Sequence, residues 1–369
     1  MPKKVLHVII GLNIGGAELM LKRLVLHSQK KGEFSHEVIS LTDLGIIGAE
    51  LQKEGVNVYT LGMQSGLGLP TVFIKLKKLI KKLNPDIVQT WMYHADFLGG
   101  LAAKSVGKNS IVWNIRNTYL SGRGLVNLAF RNMCLFMSYF IPKQIIYVSN
   151  SAKDQHIKSG YNKKLGRVVY NGFDINKFKF NTCYRLAYRA EIGLKDQEIA
   201  VFSVGRCSPA KDHLTFIKAI MEATKINPNI KGVIVGRDFL ANSFDLTTEE
   251  IEKFIILGQR NDVDKLLSAA DIFCLHSKTE GFPNVLGEAM SVGLPSITTK
   301  AGDAELILNN QSYTYEVGDY LGIANAIVIL AQNSEERQLQ GEINRKRVQD
   351  LYVLENVIND YEILYKAML

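Results

Sequence analysis

The chain has 369 residues, 47% hydrophobic and 22% charged, which is enough for two globular domains and excludes a disordered or low-complexity protein. Its four widely spaced cysteines contain no Cys-x-x-Cys pair, so they indicate neither a zinc site nor a disulfide framework, and a reducing, cytosolic compartment fits best. The net charge of +8 is uneven, because residues 1–172 carry 23 Lys and Arg against 9 Asp and Glu, and residues 173–369 carry 21 against 27. This asymmetry predicts a polyanionic partner for the first half, either nucleic acid or an anionic membrane.

Short apolar runs alternate with segments of helical periodicity along the first half of the chain. The predicted strands are 5–10, 37–41, 56–61, 87–90, 111–115 and 144–148, and the predicted helices are near 17–31, 70–83, 94–106 and 124–140. The strands hardly alternate between apolar and polar residues, so we expect them to be buried on both faces of a parallel, doubly wound sheet. The apolar stretch 125–141 contains Asn127, Arg131 and Asn132 and is too short for a transmembrane span.

The same alternation restarts in the second half. The predicted strands are 199–204, 231–235, 254–257, 272–275 and 296–299, with helices near 212–225, 262–270, 284–292 and 318–332. The turn Asn171-Gly172-Phe173-Asp174 and the polar segment after it mark the boundary. We therefore predict an N-terminal Rossmann-like domain over 1–175, a second over 176–350, and a C-terminal helix over 351–369 that packs back toward the first domain.

Ligands of open α/β sheets bind beyond the carboxyl ends of the strands. The first strand is followed by Gly11-Leu12-Asn13-Ile14-Gly15-Gly16-Ala17-Glu18, where glycines would let the backbone approach an anion at a helix start. The spacing matches neither a dinucleotide fingerprint nor a P-loop, and a simple tight turn is an equally good interpretation.

The first strand of the second domain is followed by two cations, Arg206 and Lys211, the second of them at a helix start. A forked guanidinium and a compact ammonium together suit a diphosphate, and the alternative is a pair of solvated surface cations.

Two glutamates, Glu280 and Glu288, lie within Thr279-Glu280-Gly281-Phe282-Pro283-Asn284-Val285-Leu286-Gly287-Glu288-Ala289-Met290. Pro283 suits a first helical turn and Gly281 a close backbone approach. A carboxylate can accept two hydroxyls, so this pair suits ribose and sugar hydroxyls better than ordinary surface positions.

Taken together, these motifs resemble the retaining nucleotide-sugar glycosyltransferases of family 4, which have the two-domain GT-B fold. The resemblance covers nearly the whole chain and rests on Gly15 to Glu18, Asn84 to Val88 leading to His94, Val148-Ser149 with Ser151, Asn171 to Asp174, Gly205-Arg206 with Lys211, and Glu280 to Met290. It implies two Rossmann-like domains facing each other across a cleft, and an enzyme of the bacterial surface-polysaccharide type.

The resemblance also implies roles for individual residues. Arg206 and Lys211 would bind the donor diphosphate, Glu288 the ribose, and Glu280 with Gly281, Phe282, Pro283 and Asn284 the donor sugar. Gly15 and Gly16 would face the diphosphate, and His94 would lie near the transferred sugar. Less specific positions are Arg260 near the nucleotide base and Glu18 and Arg116 in the acceptor part of the cleft. The implied catalytic residues are Glu280, His94, Arg206 and Lys211.

The chain departs from the family pattern at three positions. Tyr170 stands where members often have Pro, Gly287 where they often have Leu, and His276 where they often have Pro. The segment Asp262-Val263-Asp264 matches the Asp-x-Asp metal motif of another glycosyltransferase fold, but a helical pattern follows, so we expect helix capping. Neither a metal nor another cofactor is expected.

The expected function is transfer of a hexose or N-acetylhexosamine from a nucleotide diphosphate sugar, UDP-linked, to a glycan or lipid-linked acceptor, with retention at the anomeric carbon. The alternatives are a non-hydrolysing sugar-nucleotide epimerase and a nucleic-acid-binding protein, although no nucleic-acid signature accompanies the basic half. The basic amphipathic segment 72–83, with Arg123, Arg131 and Lys143, predicts a cytoplasmic protein attached to the inner membrane face. A helix that packs on the sheet and leaves its lysine face in solvent is equally compatible with the pattern of this segment.

Overall fold

The structure, a computed structural model, describes residues 2–64, 68–118, 125–239, 244 and 246–369, and only the backbone of 125–129. Arg123 therefore lies outside the described residues. The chain divides into two compact units, of which unit 1 comprises Met1–Gly172 with Leu354–Leu369 and unit 2 comprises Phe173–Val353. Each unit contains one parallel sheet with helices, which confirms the predicted class of two Rossmann-like α/β domains.

Unit 1 contains a seven-stranded sheet in the order β3-β2-β1-β4-β5-β6-β7. Its strands are β1 (Lys3–Ile9), β2 (Phe34–Ser40), β3 (Asn57–Thr60), β4 (Ile87–Trp91), β5 (Ile111–Ile115), β6 (Gln144–Tyr147) and β7 (Gly166–Val168). The helices between them are α1 (Gly16–Lys31), α2 (Gly45–Lys53), α3 (Leu69–Leu83), α4 (Met92–Ser105), α5 (Leu125–Met137) and α6 (Asn150–Lys158).

Burial follows the position of each strand in this sheet. Strands β4 and β5 lie in the middle and every one of their residues is buried, as their apolar runs predict. Strand β3 lies at the edge and is only partly buried, so the prediction that all strands are buried on both faces is wrong there. An edge strand lacks one neighbour, and its polar residues remain in contact with water.

Unit 2 contains a six-stranded parallel sheet in the order β10-β9-β8-β11-β12-β13. Its strands are β8 (Ile199–Val204), β9 (Ile230–Val235), β10 (Phe254–Gly258), β11 (Ile272–Leu275), β12 (Ser296–Thr299) and β13 (Thr314–Tyr315). Its helices are α7 (Thr182–Glu191), α8 (His213–Ile226), α9 (Thr248–Ile251), α10 (Val263–Leu266), α11 (Asn284–Val292), α12 (Ala304–Leu308), α13 (Tyr320–Gln332) and α14 (Ser334–Leu351).

The last helix, α15 (Leu354–Lys366), belongs to unit 1 and packs against α1. Ser28 donates to Glu362 at 2.8 Å and Lys31 pairs with the same carboxylate at 3.0 Å. Tyr365 is fully buried and donates to Gln89 on β4 at 2.5 Å. The C-terminal helix therefore completes the core on one face of the unit 1 sheet.

No helix within the described ranges combines the length and the apolar character that crossing a bilayer requires.

A buried polar cluster crosses the unit 1 sheet at His7, His36 and Trp91. The Trp91 indole Nε1 donates to His7 Nδ1 at 3.2 Å, so the His7 proton is on Nε2, which lies 3.0 Å from His36 Nδ1 and donates to it. Burial lowers the pKa of His7 and lowers the pKa of His36 to about 4. Both rings are therefore neutral at physiological pH.

This cluster predicts acid sensitivity of unit 1. His36 binds its proton near pH 6.5 in the unfolded chain and near pH 4 in the fold, so its contribution to stability is lost as the pH falls from about 6.5 toward 4. In a His36→Asn variant, which keeps an acceptor for His7, we expect the loss of unfolding free energy between about pH 7 and pH 5 to be smaller by on the order of 1–2 kcal/mol. Urea unfolding at the two pH values measures this, and equal losses in both proteins would contradict it.

Candidate functional site

The strand order of each sheet reverses at one place, between β1 and β4 in unit 1 and between β8 and β11 in unit 2. Doubly wound sheets bind ligands at this place, beyond the carboxyl ends of the two strands. In unit 2, Arg206 and Lys211 follow β8, and Glu280 follows β11. In unit 1, the glycine segment follows β1, and His94 follows β4.

An ion pair joins the two loops of unit 2 at the strand-order reversal. Lys211 Nζ donates to Glu280 Oε1 at 2.5 Å, and the Ser277 hydroxyl donates to the same oxygen at 2.6 Å. Both side chains of the ion pair are largely buried, so the pair is shielded from solvent screening. The second oxygen, Oε2, has no partner within the described residues and can accept a ligand hydroxyl.

Arg206 differs from Lys211 although the two follow the same strand. Its side chain is exposed and forms neither an ion pair nor a hydrogen bond with any residue that the structure describes. Two backbone hydrogen bonds fix the loop on either side of Arg206. The Gly205 N–H donates to the Val235 carbonyl at 2.8 Å, and the Cys207 N–H donates to the Arg237 carbonyl at 2.9 Å. A fixed loop thus presents a guanidinium that is available to an anion.

His276 has a positioning role that the sequence left unexplained. Its Nδ1 donates to the Asp212 carbonyl at 3.1 Å, so its Nε2 accepts a hydrogen bond from the Ser203 hydroxyl at 2.5 Å. Burial lowers the pKa of His276 to about 3, which keeps the ring neutral, as this pair of bonds requires. The imidazole therefore ties the start of α8, next to Lys211, to β8 and β11.

Asp212 adds to this support from an unusual backbone conformation. It has a φ of 52°, in the left-handed region. Its carboxylate accepts a hydrogen bond from the Thr215 hydroxyl at 2.7 Å and forms an ion pair with Lys278 at 3.2 Å. These contacts hold the turn that carries Lys211.

The glutamate segment forms the loop before α11 and the helix itself. Glu280 and Gly281 lie in the loop, whereas Glu288 is buried within α11, with 9% of its surface exposed. Phe282 is buried and stacks on Phe173 with ring centroids 6.0 Å apart. Pro283 occupies the N-cap position and Asn284 begins the helix.

The departure at Gly287 has a packing explanation. A Cβ at Gly287 would lie 2.1 Å from the Phe173 ring, so that ring occupies the space that a larger side chain would need.

The candidate residues of unit 1 follow three strands of its sheet. His94 lies in the first turn of α4 and is half-buried, with its ring centroid 4.7 Å from that of Phe130. Burial lowers the pKa of His94. Gly15 precedes α1, and a Cβ there would lie 2.3 Å from Glu18 Oε2, so the glycine leaves room for that carboxylate, whose pKa burial raises. Gly16, the first residue of α1, is exposed.

Arg116 follows β5 and is bound within unit 1. Its Nη1 donates to the Tyr361 hydroxyl at 3.2 Å, and its guanidinium lies 5.7 Å from the Trp91 ring. Its buried Nη2 has no partner, and no carboxylate pairs with it within the described residues. Burial lowers the pKa of the guanidinium, although Tyr361 acts in the opposite direction.

Arg260 and Asp262 form a network that the sequence did not predict. Arg260 donates to both Asp262 oxygens, at 2.8 and 2.7 Å, and to Glu191 at 2.9 Å, while Tyr188 donates to Asp262 at 2.8 Å. Asp262 lies at the N-cap position of α10, but its side chain does not cap the helix, so the predicted capping bond is wrong. The guanidinium competes for that carboxylate and lowers its pKa.

The described residues contain no cluster of three or more His, Cys, Asp or Glu side chains with the geometry to bind a metal ion.

Comparison with known proteins identifies the family. The sequence model of "Glycosyltransferase Family 4" matches residues 14–177, and that of "Glycosyl transferases group 1" matches residues 185–347. The chain is a family 4 glycosyltransferase. The predicted family is confirmed.

Relatives and solved structures agree with this assignment. The glycosyltransferase is 29% identical to the UDP-Gal:alpha-D-GlcNAc-diphosphoundecaprenol alpha-1,3-galactosyltransferase of Escherichia coli, over 76% of this chain and 78% of the relative. It is 27% identical to the capsular polysaccharide biosynthesis glycosyltransferase CapH of Staphylococcus aureus, over 78% of each chain. The structure of Anabaena HepE in complex with UDP matches with a TM-score of 0.85 and 20% identity, over 99% of this chain and 100% of HepE, and confirms the GT-B fold class.

The loop of Glu280 predicts a sensitive position in this glycosyltransferase. Gly302 has a φ of +60°, and a Cβ there would lie 2.4 Å from the Glu280 carbonyl oxygen, whereas Gly318 has a φ of +86° and open space around it. We expect Gly302→Ala to displace the Glu280 loop and to lower the rate of glycosyl transfer at least roughly tenfold, since small misplacements of groups in a functional site are costly. Gly318→Ala incurs a similar backbone strain of about 1 kcal/mol without this contact and is the matched control. Equal turnover of the two variants would contradict the prediction.

Proposed function

We propose that the protein transfers a hexose or N-acetylhexosamine, with retention at the anomeric carbon, from a UDP-sugar to a glycan or lipid-linked glycan acceptor in the assembly of surface polysaccharide or lipopolysaccharide. The observation that carries this proposal is the Lys211–Glu280 ion pair beside the unpaired Arg206 at the unit 2 strand-order reversal. The Escherichia coli relative, a galactosyltransferase that uses UDP-Gal, and the UDP in the HepE structure support the donor class.

The two cations have distinct tasks in this proposal. Arg206 gives a forked contact to the diphosphate and Lys211 a point charge. A diphosphate near Lys211 competes with Glu280 for the ammonium group, and Glu280 can then accept hydroxyls of the donor sugar through both oxygens. Glu288, on α11, accepts the ribose hydroxyls.

The chemistry that we propose depends on stabilisation of the leaving group. Negative charge grows on the diphosphate as the glycosidic bond breaks, and Arg206 and Lys211 stabilise it in a site already built for it. The departing diphosphate accepts the proton of the acceptor hydroxyl on the same face of the sugar, so the new bond keeps the anomeric configuration. These two cations supply the charge for which other glycosyltransferases use a metal ion.

The assay that tests this function follows UDP release and the product together. With a UDP-sugar and a polyprenyl-diphosphate glycan acceptor, we expect acceptor-dependent UDP release, an α-linked product by NMR, and activity that survives EDTA. Inversion at the anomeric carbon or full dependence on added Mg²⁺ or Mn²⁺ would overturn the mechanism. Interconversion of UDP-sugars without acceptor would instead indicate the epimerase.

The roles of the two cations predict the effect of removing each. Arg206→Ala and Lys211→Ala each remove a charge-assisted contact worth roughly 1.5–3 kcal/mol, so we expect turnover to fall roughly 10- to 100-fold. The matched control is Lys225→Ala, which removes an exposed cation at the far end of α8. Thermal unfolding verifies that all three variants fold, and near-normal turnover of either site variant would refute the diphosphate assignment.

We also propose that unit 1 binds the cytoplasmic face of the membrane reversibly and does not bind nucleic acid. Helix α3 buries Val72, Leu76 and Ile80 against unit 1 and exposes a lysine face, composed of Lys75, Lys78, Lys81 and Lys82. None of these lysines forms an ion pair within the described residues. A basic face of this kind adds about 1 kcal/mol of attraction per residue near an anionic leaflet, and it suits an enzyme with a lipid-linked acceptor.

The lysine face of α3 predicts binding that depends on salt. We expect cosedimentation with phosphatidylglycerol vesicles to fall steeply as salt rises, since exposed charges are screened over about 8 Å at physiological ionic strength. Lys78→Glu with Lys81→Glu should weaken this binding, whereas Lys225→Glu in unit 2 should not. Equal binding to uncharged phosphatidylcholine vesicles would contradict the electrostatic mechanism.

A further inference from the structure

Unit 1 exposes a compact set of large apolar side chains at the end of α5. Met133 and Phe136 lie on the helix, and Tyr139 and Phe140 lie in the turn after it, with 41%, 66%, 55% and 64% of their surfaces exposed. We call these four residues the α5 patch. The Phe136 and Phe140 rings pack against each other, with centroids 5.2 Å apart. Contiguous exposed apolar side chains of this kind mark a surface that binds a partner.

The opposite face of α5 packs into unit 1. The residues of the patch are therefore not the face that the helix uses to pack against its own domain. Phe130 and Cys134 are buried, and the Cys134 thiol donates to the Tyr93 carbonyl of α4 at 3.3 Å. The Tyr139 hydroxyl donates to the Gly160 carbonyl at 3.1 Å and anchors the turn to the end of α6. The patch is therefore held rigidly with its aromatic rings outward.

Basic residues lie beside the patch at Tyr139. A surface cavity of about 370 Å³ beside Tyr139 is also lined by Lys163 and Lys164. Residues 130–170 contain seven Lys and Arg but only one acidic residue, Asp154. Lys158, Lys163 and Lys164 are exposed and form no ion pair within the described residues.

This chemistry favours a lipid surface over a protein partner. Lysine is depleted from protein–protein interfaces, whereas aromatic side chains beside lysines are typical of segments that lie at the boundary of head groups and acyl chains. Long lysine side chains place their ammonium groups among lipid phosphates while rings lie deeper. Helix α4 packs between α3 and α5, so the lysine face of α3 is on the same side of the sheet as the patch.

We propose that the α5 patch inserts into the head-group region of an anionic bilayer, with Lys163 and Lys164 binding lipid phosphates. The inference rests on the proposed lipid-linked acceptor and adds the surface that orients unit 1 on the membrane. The lysine face of α3 gives attraction that salt removes, whereas the aromatic rings give apolar attachment that salt does not remove.

The experiment places a tryptophan in the patch and another outside it. In Phe140→Trp, we expect a blue-shifted emission with phosphatidylglycerol vesicles and quenching by lipids with brominated acyl chains. The matched control is Phe180→Trp in unit 2, where Phe180 is 50% exposed, and its emission should not change. The native Trp91 and Trp113 are fully buried and give the same background in both proteins. Cosedimentation of Phe140→Trp without quenching would overturn the proposal, since another surface would then hold the membrane.

A second pair of variants separates the rings from the charges. We expect Phe136→Ser with Phe140→Ser to lower the vesicle partition at high salt at least roughly tenfold, and Lys163→Glu with Lys164→Glu to act mainly at low salt. If the serine variant leaves vesicle binding unchanged but abolishes a dimer seen by light scattering, the patch is a self-association surface and the proposal is wrong. UDP release with a water-soluble acceptor should be unchanged in all these variants, so failure of docking is distinguished from failure of the proposed function.

Discussion

The reversal of strand order between β8 and β11 is the constraint on which the candidate site depends. These two strands are parallel neighbours, but the helices that follow them pack on opposite faces of the sheet. The loops after the strands therefore begin at the same edge of the sheet and diverge from it. In this protein the Lys211–Glu280 ion pair spans that edge and fixes the distance between the two loops. Removing either partner leaves a largely buried charge unpaired, which costs far more than the pair itself contributes. The ion pair therefore couples the geometry of the loops to the charge of the site.

Much of this arrangement could be predicted from the sequence. Strands with continuous apolar runs, such as β5, β8, β11 and β12, occur at the predicted residues, because burial on both faces leaves an unbroken signal. Once those strands are placed, the residues after them must meet at one edge, so Arg206, Lys211 and Glu280 could be assigned to one region. The helix α11 also begins and ends as predicted, since Pro283 precedes it and Gly293 with a left-handed φ ends it.

Other features depend on tertiary contacts that no local pattern encodes. Helix α7 was missed because it lies in the segment that we interpreted as the polar boundary between the domains, yet Arg189 is buried there and pairs with Asp271 at 3.1 Å. Helix α14 has no clear apolar face, and strands β7 and β13 have only three and two residues.

The capping expectation failed at Asp262 because Arg260, two residues earlier, reaches the same carboxylate. His276 had no sequence signal beyond its place after a strand. Both of its hydrogen-bond partners, Ser203 and Asp212, lie far from it in the chain.

The charge asymmetry of the sequence corresponds to a difference between the surfaces of the two units. In unit 2 many cations neutralise neighbouring acids, as in Arg185 with Asp271, Lys278 with Asp212 and Arg260 with Glu191. The excess of positive charge in unit 1 has few such partners, and much of it lies on the exposed face of α3 and around the end of α5 rather than at the strand-order reversal. A compact anion such as a diphosphate needs only two or three well-placed cations, whereas an extended anionic surface requires many that are spread out and unpaired. The two units therefore present their positive charge in different ways, and the position of each charge, more than the total of +8, determines this difference.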